Sequence, residues 1–417
     1  MPPLQLVPPA GPIRTLCVSH LAKTTANGIL VSVLVLYFTR TVHLSPAQVG
    51  MALSVGAGCG LLVAVPAGRL ADTVGPRDMT AGSLWLLGAF VCGYPLVHGF
   101  AGLLVVTALV MTAESAIDAA SSALLAGLVA PADRVRAMSY WRMASNFSIG
   151  LGAAAGAVGL YLDRHAVYIG LLFAAGGLMA LSGLTYLRVG RVPPVRRVDD
   201  GPTWTVVRDA PYAVACLLNA ILIMNSGVLL VALPIWISTR TNAPTWLYPC
   251  ILIINVTTVV LFQTRSSRGS AQVSGGARAM RLGGFLLAGF CMLSALTAGP
   301  PAWLACALLL AGAVVHVSGE MFHAAGSWSL GFGLAPEHAQ GQYQGLFSMS
   351  TQLGQLLAPS LATVLLIGWG SPGWLVFAVL FAAAGALTPA AARWALRGGG
   401  RVARPTPGLT TAGQPQS

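Results

Sequence analysis

The sequence predicts an all-α integral membrane protein with twelve transmembrane helices in two pseudosymmetric six-helix bundles. Three observations support this fold class: the composition, the number of long apolar segments and the distribution of arginines. Of the 417 residues, 56% are hydrophobic and 8% are charged, whereas soluble domains carry about 25% charged residues. So few charged side chains cannot cover a folded chain of this length in water, but a lipid environment requires no such cover.

Twelve segments are long and apolar enough to cross a bilayer as helices. A helix needs about 20 apolar residues to cross a hydrocarbon core of ~30 Å. Because the number of spans is even, both termini are expected on the same side of the membrane. The predicted spans are residues 15–38, 46–71, 79–98, 101–130, 137–161, 166–187, 211–238, 245–264, 282–299, 302–332, 342–368 and 372–394.

The basic residues predict which side of the membrane is cytoplasmic. With the amino terminus inside, most of the 23 lysines and arginines fall in cytoplasmic loops, and Arg40, Arg164 and Arg240 fall in outer loops. Adding or removing one helix would mix these groups, so the asymmetry supports both the helix number and the orientation. We therefore expect a multi-pass protein of the plasma (inner) membrane with both termini in the cytoplasm.

The longest predicted loop divides the chain into two halves. It is polar and rich in proline and arginine, which is typical of a linker. The predicted organisation is an amino-terminal six-helix bundle at 1–187, a cytoplasmic linker at 188–210, a carboxy-terminal six-helix bundle at 211–394 and a disordered cytoplasmic tail at 395–417.

The two halves also show an internal repeat. Ala119 and Pro131, in and after the fourth span, recur at one constant offset as Ala324 and Pro336, in and after the tenth. A duplicated six-helix unit predicts this register, and parallel repeats of this kind are common among membrane transporters.

The loop between the second and third spans carries the most specific motif. It reads Gly-Arg-Leu-Ala-Asp-Thr-Val-Gly-Pro-Arg over residues 68–77. This resembles the signature loop of the major facilitator superfamily, Gly-x-Leu-x-Asp-x-x-Gly-x-Arg, and lies where that family has it. The resemblance implies that Gly68, Asp72, Gly75 and Arg77 form a gating loop that latches the two halves on the cytoplasmic side.

The chemistry of this loop agrees with such a role. Glycine permits close approach of two helix ends and sharp turns. Asp72 is suited to a nearby helix amino terminus or to pairing with an arginine. Asp78 stands where the family usually has a basic residue, so one contact of the family's latch lacks its counterpart here.

Three further segments resemble that family, and the second and third of them resemble its drug:proton antiporter-like members. Asn27-Gly28 is similar to a polar break in the first helix, and residues 341–345 (Gly-Gln-Tyr-Gln-Gly) are similar to the entry of the eleventh. Gly152 and Gly156 match part of an antiporter glycine motif that lacks its proline and last glycine here. The resemblance implies a central cavity lined by helices one, four, seven and ten, and it implies export.

Polar side chains recur within the spans, where they are costly and indicate function by default. The first span carries a lysine near its midpoint, and the fourth carries two acids four residues apart on one helix face. The candidate cavity and proton-coupling residues are His20, Lys23, Asn27, Glu114, Asp118, Arg142, Asn146, His316, Glu320, His323, Gln352 and Gln355.

The charges inside the spans do not balance. Lys23 and Arg142 supply two positive charges, and Glu114, Asp118 and Glu320 supply three negative charges. Two ion pairs would leave one carboxylate over, and an unpaired carboxylate at low dielectric constant tends to take up a proton. We hypothesise that one of the three acids carries the coupling proton, with Glu320 or Asp118 as the first choice.

Structural interpretations of these residues remain open at this stage. In a structural interpretation, Lys23 and Asp118 pair only to fix helix packing, and Arg142 extends to the cytoplasmic surface. His316 and His323 would be neutral, hydrogen-bonded helix residues.

These observations predict a secondary active transporter that exports a small, largely apolar organic molecule in exchange for protons, by alternating access. A net acidic cavity favours neutral or cationic substrates. The alternative is an uptake symporter of the same fold for a sugar, an amino acid or an organic acid. A membrane enzyme or sensor is a remote alternative, because the sequence has no HExxH, Gly-x-Ser-x-Gly or phosphate-loop motif and its predicted tails are short.

Few further partners are expected. The basic residues are dispersed among the loops rather than gathered on one face, so the net charge of +12 does not indicate nucleic-acid binding. The seven cysteines have no paired spacing and predict neither a metal site nor disulfides. We expect no cofactor, a monomer in the lipid bilayer, and protons and a small molecule as the transported species.

Overall fold

The computed structural model describes residues 8, 11–162, 164–193, 205–267 and 269–402. Within these residues the chain forms twelve long helices and one isolated β-bridge between Thr241 and Ala298. The helices are α1 Pro12–Leu36, α2 Pro46–Val74, α3 Pro76–Gly93, α4 Phe100–Leu128, α5 Arg134–Leu162, α6 His165–Tyr186, α7 Ala210–Arg240, α8 Leu247–Ser266, α9 Val273–Ala295, α10 Ala302–Gly333, α11 Gln340–Ala362 and α12 Ser371–Val402.

Ten of these helices are long and apolar enough to cross a membrane. The two others are α8, whose apolar segment Leu247–Gln263 is shorter, and α11, which carries a row of glutamines. A glutamine-rich face lowers the mean hydropathy of α11, but such a face suits a helix that lines an interface between bundles. The helices confirm the predicted all-α fold with twelve helices.

The two halves pack their helices in the same way. The pairs α1–α5, α1–α6, α2–α4, α3–α4 and α3–α6 of the first half correspond to α7–α11, α7–α12, α8–α10, α9–α10 and α9–α12 of the second. Each half also has its own apolar core, one formed by α1–α6 together with Phe332 of α10 and the other within α7–α12. The internal repeat seen in the sequence therefore extends to the tertiary packing.

A matching helix cap shows the repeat at the level of side chains. Arg134, at the start of α5, donates hydrogen bonds to the carbonyl groups of Ala126 (2.6 Å) and Val129 (3.2 Å) at the end of α4. Gln340, at the start of α11, donates in the same way to Ala335 (2.9 Å) at the end of α10. Both side chains satisfy carbonyl groups that a helix end leaves without partners.

The start of α9 differs from its predicted position. The helix begins at Val273 rather than at residue 282, so Arg278 and Arg281 lie within it and not in a loop. Gly275 and Gly276 suggest a loop in the sequence, but here they allow close packing. A Cβ at Gly276 would overlap Ser329 of α10.

Several other bounds differ from the sequence prediction. α1 is continuous from Pro12 to Leu36, without a break at Asn27-Gly28, and α12 extends to Val402, past the predicted end at 394. Of the predicted linker, residues 194–204 lie outside the described residues, as do residues 403–417 of the predicted tail.

The seventh helix is irregular near its middle. An α-helical segment ends at Ile223, a short helical turn follows at Asn225–Gly227, and a π-helical turn covers Val228–Ala232. A π-helical turn displaces backbone carbonyl groups from their usual partners and often marks a functional region. α7 is therefore able to offer backbone carbonyl groups to its neighbours.

Candidate functional site

One lysine and two acids meet in the first half. The Lys23 Nζ atom of α1 lies 2.5 Å from Glu114 Oε2 and 3.6 Å from Asp118 Oδ1, both of α4. The side chain of Lys23 is 6% exposed, that of Glu114 21% and that of Asp118 48%. Asp118 is thus the more loosely held and the more accessible acid of this group, which we call the Lys23 triad.

The Lys23 triad borders a cavity between the two halves. The cavity has a volume of about 240 Å³, and each half contributes to its wall. Of the predicted site residues, His20, Lys23 and Asp118 line it. The other lining residues are Ser121, Ser122, Met138, Trp141, Trp328, Gly331, Phe332, Gln344, Phe347, Ser348 and Thr351.

His20 packs against an aromatic wall residue of this cavity. Its ring centroid lies 4.4 Å from that of Trp141 on α5, with a tilt of 54° between the ring planes. The His20 side chain is buried, and its Nδ1 atom has no hydrogen-bond partner among the described residues. The atom itself is enclosed by protein, so it is an unsatisfied polar group directly behind the cavity wall.

A second polar cluster surrounds Glu320 of α10. Its carboxylate forms an ion pair with Arg142 of α5 and accepts a hydrogen bond of 2.8 Å from the Asn255 amide of α8. The His316 Nδ1 atom, one turn away on α10, lies 4.0 Å from the same carboxylate. Arg142 is thus engaged with an acid of the other half, rather than extended to the surface.

The two histidines of α10 link that helix to α7. His316 Nε2 lies 3.4 Å from the Asn225 carbonyl oxygen, at the irregular part of α7. His323 Nε2 lies 3.1 Å from Asn219 Oδ1, and the Asn219 amide donates to the Thr351 hydroxyl at 3.1 Å. Because Thr351 lines the cavity, this chain of contacts connects the cavity wall to the interior of the second half.

The remaining predicted site residues are distributed differently. Gln352 of α11 accepts a hydrogen bond of 3.0 Å from Ser115 of α4, so it forms a contact between the halves. Asn27 and Asn146 are half-buried and Gln355 is exposed, and none of the three lines the cavity described above. The structure brings six of the twelve predicted polar residues together in two clusters and gives His20, His323 and Gln352 separate contacts. Asn27, Asn146 and Gln355 belong to neither cluster.

The gating loop makes direct contact with the second half. Both carboxylate oxygens of Asp72 accept backbone N–H bonds from the first turn of α11, at 2.7 Å from Gly341 and 2.9 Å from Gln342. The backbones of Gly68 and Gly341 touch, so neither position has room for a Cβ atom. A negative charge at a helix amino terminus is favourable, so Asp72 attaches α2 to α11.

The other two gating-loop residues act within the first half. Gly75 has a φ of 108°, which suits glycine and allows the turn from α2 into α3. Arg77 donates to Asp78 at 2.8 Å and to the Leu187 carbonyl at 3.3 Å, at the end of α6. Asp78 therefore pairs with the neighbouring Arg77, which the resemblance of this loop did not predict.

A further ion pair lies near the gating loop. Arg134, which caps α4, is 3.3 Å from Glu337, which follows α10. Glu337 is largely exposed, so solvent weakens this pair. Together with Asp72 it joins the two halves at the end of the bundle that carries the α2–α3 connection, which the arginine distribution predicts to be cytoplasmic.

Several contact residues escaped the sequence analysis. Trp141, Trp328 and Phe347 line the cavity, but aromatic residues are frequent in membrane helices and their pattern did not single them out. Asn219 and Asn255 could have been found by the rule that identified the other polar residues, since both lie within predicted spans.

Two six-helix bundles with a cavity of charged and aromatic residues at their interface define the fold of a polytopic membrane transporter. Consistent with this, a profile of the Major Facilitator Superfamily matches residues 16–359. The chain belongs to the Major Facilitator Superfamily, and this membership indicates a transporter rather than an enzyme.

Solved structures show the same fold at low sequence identity. The chain is similar to the human organic anion transporter MFSD10 (TETRAN), with 16% identity, a TM-score of 0.67 and coverage of 93% of this chain and 100% of the other. It is also similar to a bacterial homologue of the iron transporter ferroportin in an outward-facing state, with 14% identity, a TM-score of 0.72 and coverage of 93% of this chain and 100% of the other. A third similar structure is the transporter FucP in its outward conformation, with 14% identity, a TM-score of 0.70 and coverage of 93% of this chain and 99% of the other. No curated protein matches the sequence.

Proposed function

We propose that this chain is a secondary active transporter that exports a small, largely apolar organic molecule in exchange for protons. The observation that carries the proposal is the Lys23 triad: one ammonium group shared by two carboxylates, of which Asp118 borders the cavity. With three acids and two bases inside the bundle, Asp118 is the acid that remains after Lys23 pairs with Glu114 and Arg142 pairs with Glu320.

The triad is able to accept or release one proton at a modest cost. When Asp118 is protonated, the Lys23–Glu114 pair remains and the triad is neutral. When Asp118 is ionised, its carboxylate gains from Lys23 at 3.6 Å and from the opening of its side chain to the cavity. A carboxylate with two accessible states next to the substrate cavity is suited to coupling proton movement to substrate binding.

Alternating access would follow from separation of the two halves at their present contacts. Those contacts include Asp72 with the start of α11, Arg142 with Glu320 and Ser115 with Gln352. In the opposite state these groups would lose their partners, and contacts at the other end of the bundle would have to compensate. We propose the plasma membrane as the site, cytoplasmic termini, and the single chain as the transport unit.

The proposal can be tested in cells that express the chain. The probes are a panel of radiolabelled small apolar and amphiphilic compounds, measured for accumulation with and without a protonophore. We expect lower accumulation of at least one compound, and we expect this difference to disappear with the protonophore and in the Asp118→Asn variant. Asp133→Asn, which makes the same charge change at an exposed turn, should behave as the parent chain.

Two outcomes would contradict the proposal. Higher accumulation in expressing cells, driven by the proton gradient, would identify an uptake symporter. Gradient-driven transport that survives Gln or Asn at Glu114, Asp118 and Glu320, tested singly and together, would rule out these acids as proton carriers.

A further inference from the structure

We propose that the interface cavity binds an organic cation that carries one flat apolar group, with its charged end at Asp118 and its flat group against the aromatic wall formed mainly by the second half. This inference rests on the proposed transport function and specifies its substrate class.

The charge at the cavity favours a cation. The Lys23 ammonium is almost fully buried and is held at 2.5 Å by Glu114, so it has little capacity to bind an external anion. Asp118 is the charged group with the most exposed side chain in the triad, and the triad carries one net negative charge when both acids are ionised. A negative charge in a water-poor cleft concentrates positively charged ligands.

The aromatic side chains favour a cation with a flat group. Trp141 comes from the first half, whereas Trp328, Phe332 and Phe347 come from the second. Ring faces attract cations, with tryptophan the strongest of the three aromatic types. They also pack well against other rings. Four aromatic residues at one cavity therefore offer a wall that suits a ligand with both a positive charge and a ring.

The volume limits the ligand to a small molecule. A dry apolar cavity of ~150 Å³ is enough for a benzene molecule, and this cavity measures about 240 Å³. The difference leaves room for a short chain with an amine. Typical drug sites begin at about 300 Å³, so the cavity in this state fits a ligand with one ring.

The cavity wall is shared by the two halves, so a ligand that carries both a charge and a ring is able to connect them during transport. Asp118 belongs to the first half, and Trp328 and Phe347 belong to the second. A ligand with both a charge and a ring contacts both halves at once, whereas a bare ammonium or a bare ring satisfies only one. Hydroxyl groups of Ser122 and Thr351 border the same space and offer acceptors for an amine N–H.

The first test uses the purified full chain in lipid nanodiscs and a fixed cation, radiolabelled trimethyl(2-phenylethyl)ammonium. The competitors are tetramethylammonium, which lacks the ring, (3,3-dimethylbutyl)benzene, which is the neutral isostere, and 3-phenylpropionate, which is the anion. We expect the labelled cation to bind and each competitor to be at least about tenfold weaker than unlabelled cation, as loss of a desolvated cation–π or charge contact predicts.

Variants locate the binding to this cavity. Asp118→Asn and Trp328→Leu should each weaken the fixed cation by about tenfold or more. The matched controls Asp133→Asn and Trp369→Leu, both at exposed positions, should bind as the parent chain does. Because the competitor series needs no variant, the test remains decisive if a substitution prevents folding.

The outcomes separate this inference from the proposed function. Equal or tighter binding of the neutral or anionic compound, or unchanged binding in Asp118→Asn, would overturn the cation site, even if proton-driven export of another compound is found. Cation binding with the expected pattern but no gradient-driven efflux of the labelled cation would support the site and contradict proton-coupled export of this class of cation.

Discussion

Arg142 of α5 and Glu320 of α10 form an ion pair that joins the two halves of the chain between its membrane-spanning helices. Asn255 of α8 donates to the second carboxylate oxygen at 2.8 Å, so three helices meet at one acid. The side chains of Arg142 and Glu320 are only 24% and 16% exposed. Loss of either partner therefore leaves a charge poorly compensated at membrane depth.

The Arg142–Glu320 pair gives the first testable prediction. Arg142→Gln or Glu320→Gln alone should lower the thermal midpoint of the purified protein and reduce its free energy of unfolding by about 1–3 kcal/mol. Removal of one partner of a buried ion pair is costly because the other charge stays buried without compensation, whereas an exposed pair contributes little. The double variant should be less destabilised than the sum of the single variants, since it leaves no unpaired charge. Strictly additive changes in a double-mutant cycle would show that the two groups do not interact.

For Arg142 the sequence left two possibilities open, an ion pair inside the bundle and extension to the cytoplasmic surface. Hydropathy and loop arginines depend on local composition, so helix number and the division into halves were predictable. The partner of Arg142 lies 178 residues away, and its identity depends on how α5 and α10 are rotated against each other. Single-sequence patterns carry no information on that rotation. The aromatic cavity wall, including Trp328 and Phe347, was missed for the same reason.

The Lys23 triad gives a second prediction. Lys23→Met would place Glu114 and Asp118 near each other without the cation that both contact, and two adjacent carboxylates cannot both remain ionised at low cost. We expect at least about a tenfold loss of gradient-driven transport, because a tenfold change corresponds to about 1.4 kcal/mol and removal of one partner of a buried ion pair costs at least that much. Lys23→Met combined with Glu114→Gln should restore expression and thermal stability, because it leaves a single acid.

For the Lys23 variants, thermal stability reports whether Lys23 acts through its charge, and the transport rate reports whether the triad couples protons. Stability that does not recover in the double variant would show that Lys23 acts through packing rather than charge. A Lys23→Met chain that transports at the parental rate would contradict the assignment of the triad to proton coupling.

Glycine packing at the gating loop gives a third prediction. A Cβ at Gly68 would overlap the Gly341 carbonyl group of α11, and a backbone atom cannot move aside as a side chain can. Gly68→Ala should therefore separate α2 from α11 and reduce transport by more than about tenfold, as overpacking typically costs 1–3 kcal/mol. The control is Gly82→Ala in α3, where no atom lies within 4 Å of the new Cβ, so transport should be unchanged.

Asp72→Asn separates the electrostatic part of the same contact from the steric part. The amide keeps the shape of the side chain but loses the charge at the α11 amino terminus, so we expect a milder loss of stability of about 0.5–2 kcal/mol. Thermal midpoints and initial transport rates of the three variants provide the comparison. Gly68→Ala and Gly82→Ala chains with equal rates would show that α2 and α11 are not in contact during transport.

The orientation of the chain gives the last prediction, and it rests on the loop arginines. An epitope inserted within residues 188–210 should be reached by antibody only after the cells are permeabilised, because this segment carries several of the arginines that favour the cytoplasmic side. An epitope inserted after the exposed Gly299, between α9 and α10, should be reached in intact cells. Labelling of the 188–210 epitope in intact cells would show that the orientation is the reverse of the predicted one. The contact of Asp72 with α11 would then close the outer side of the bundle and not the cytoplasmic side.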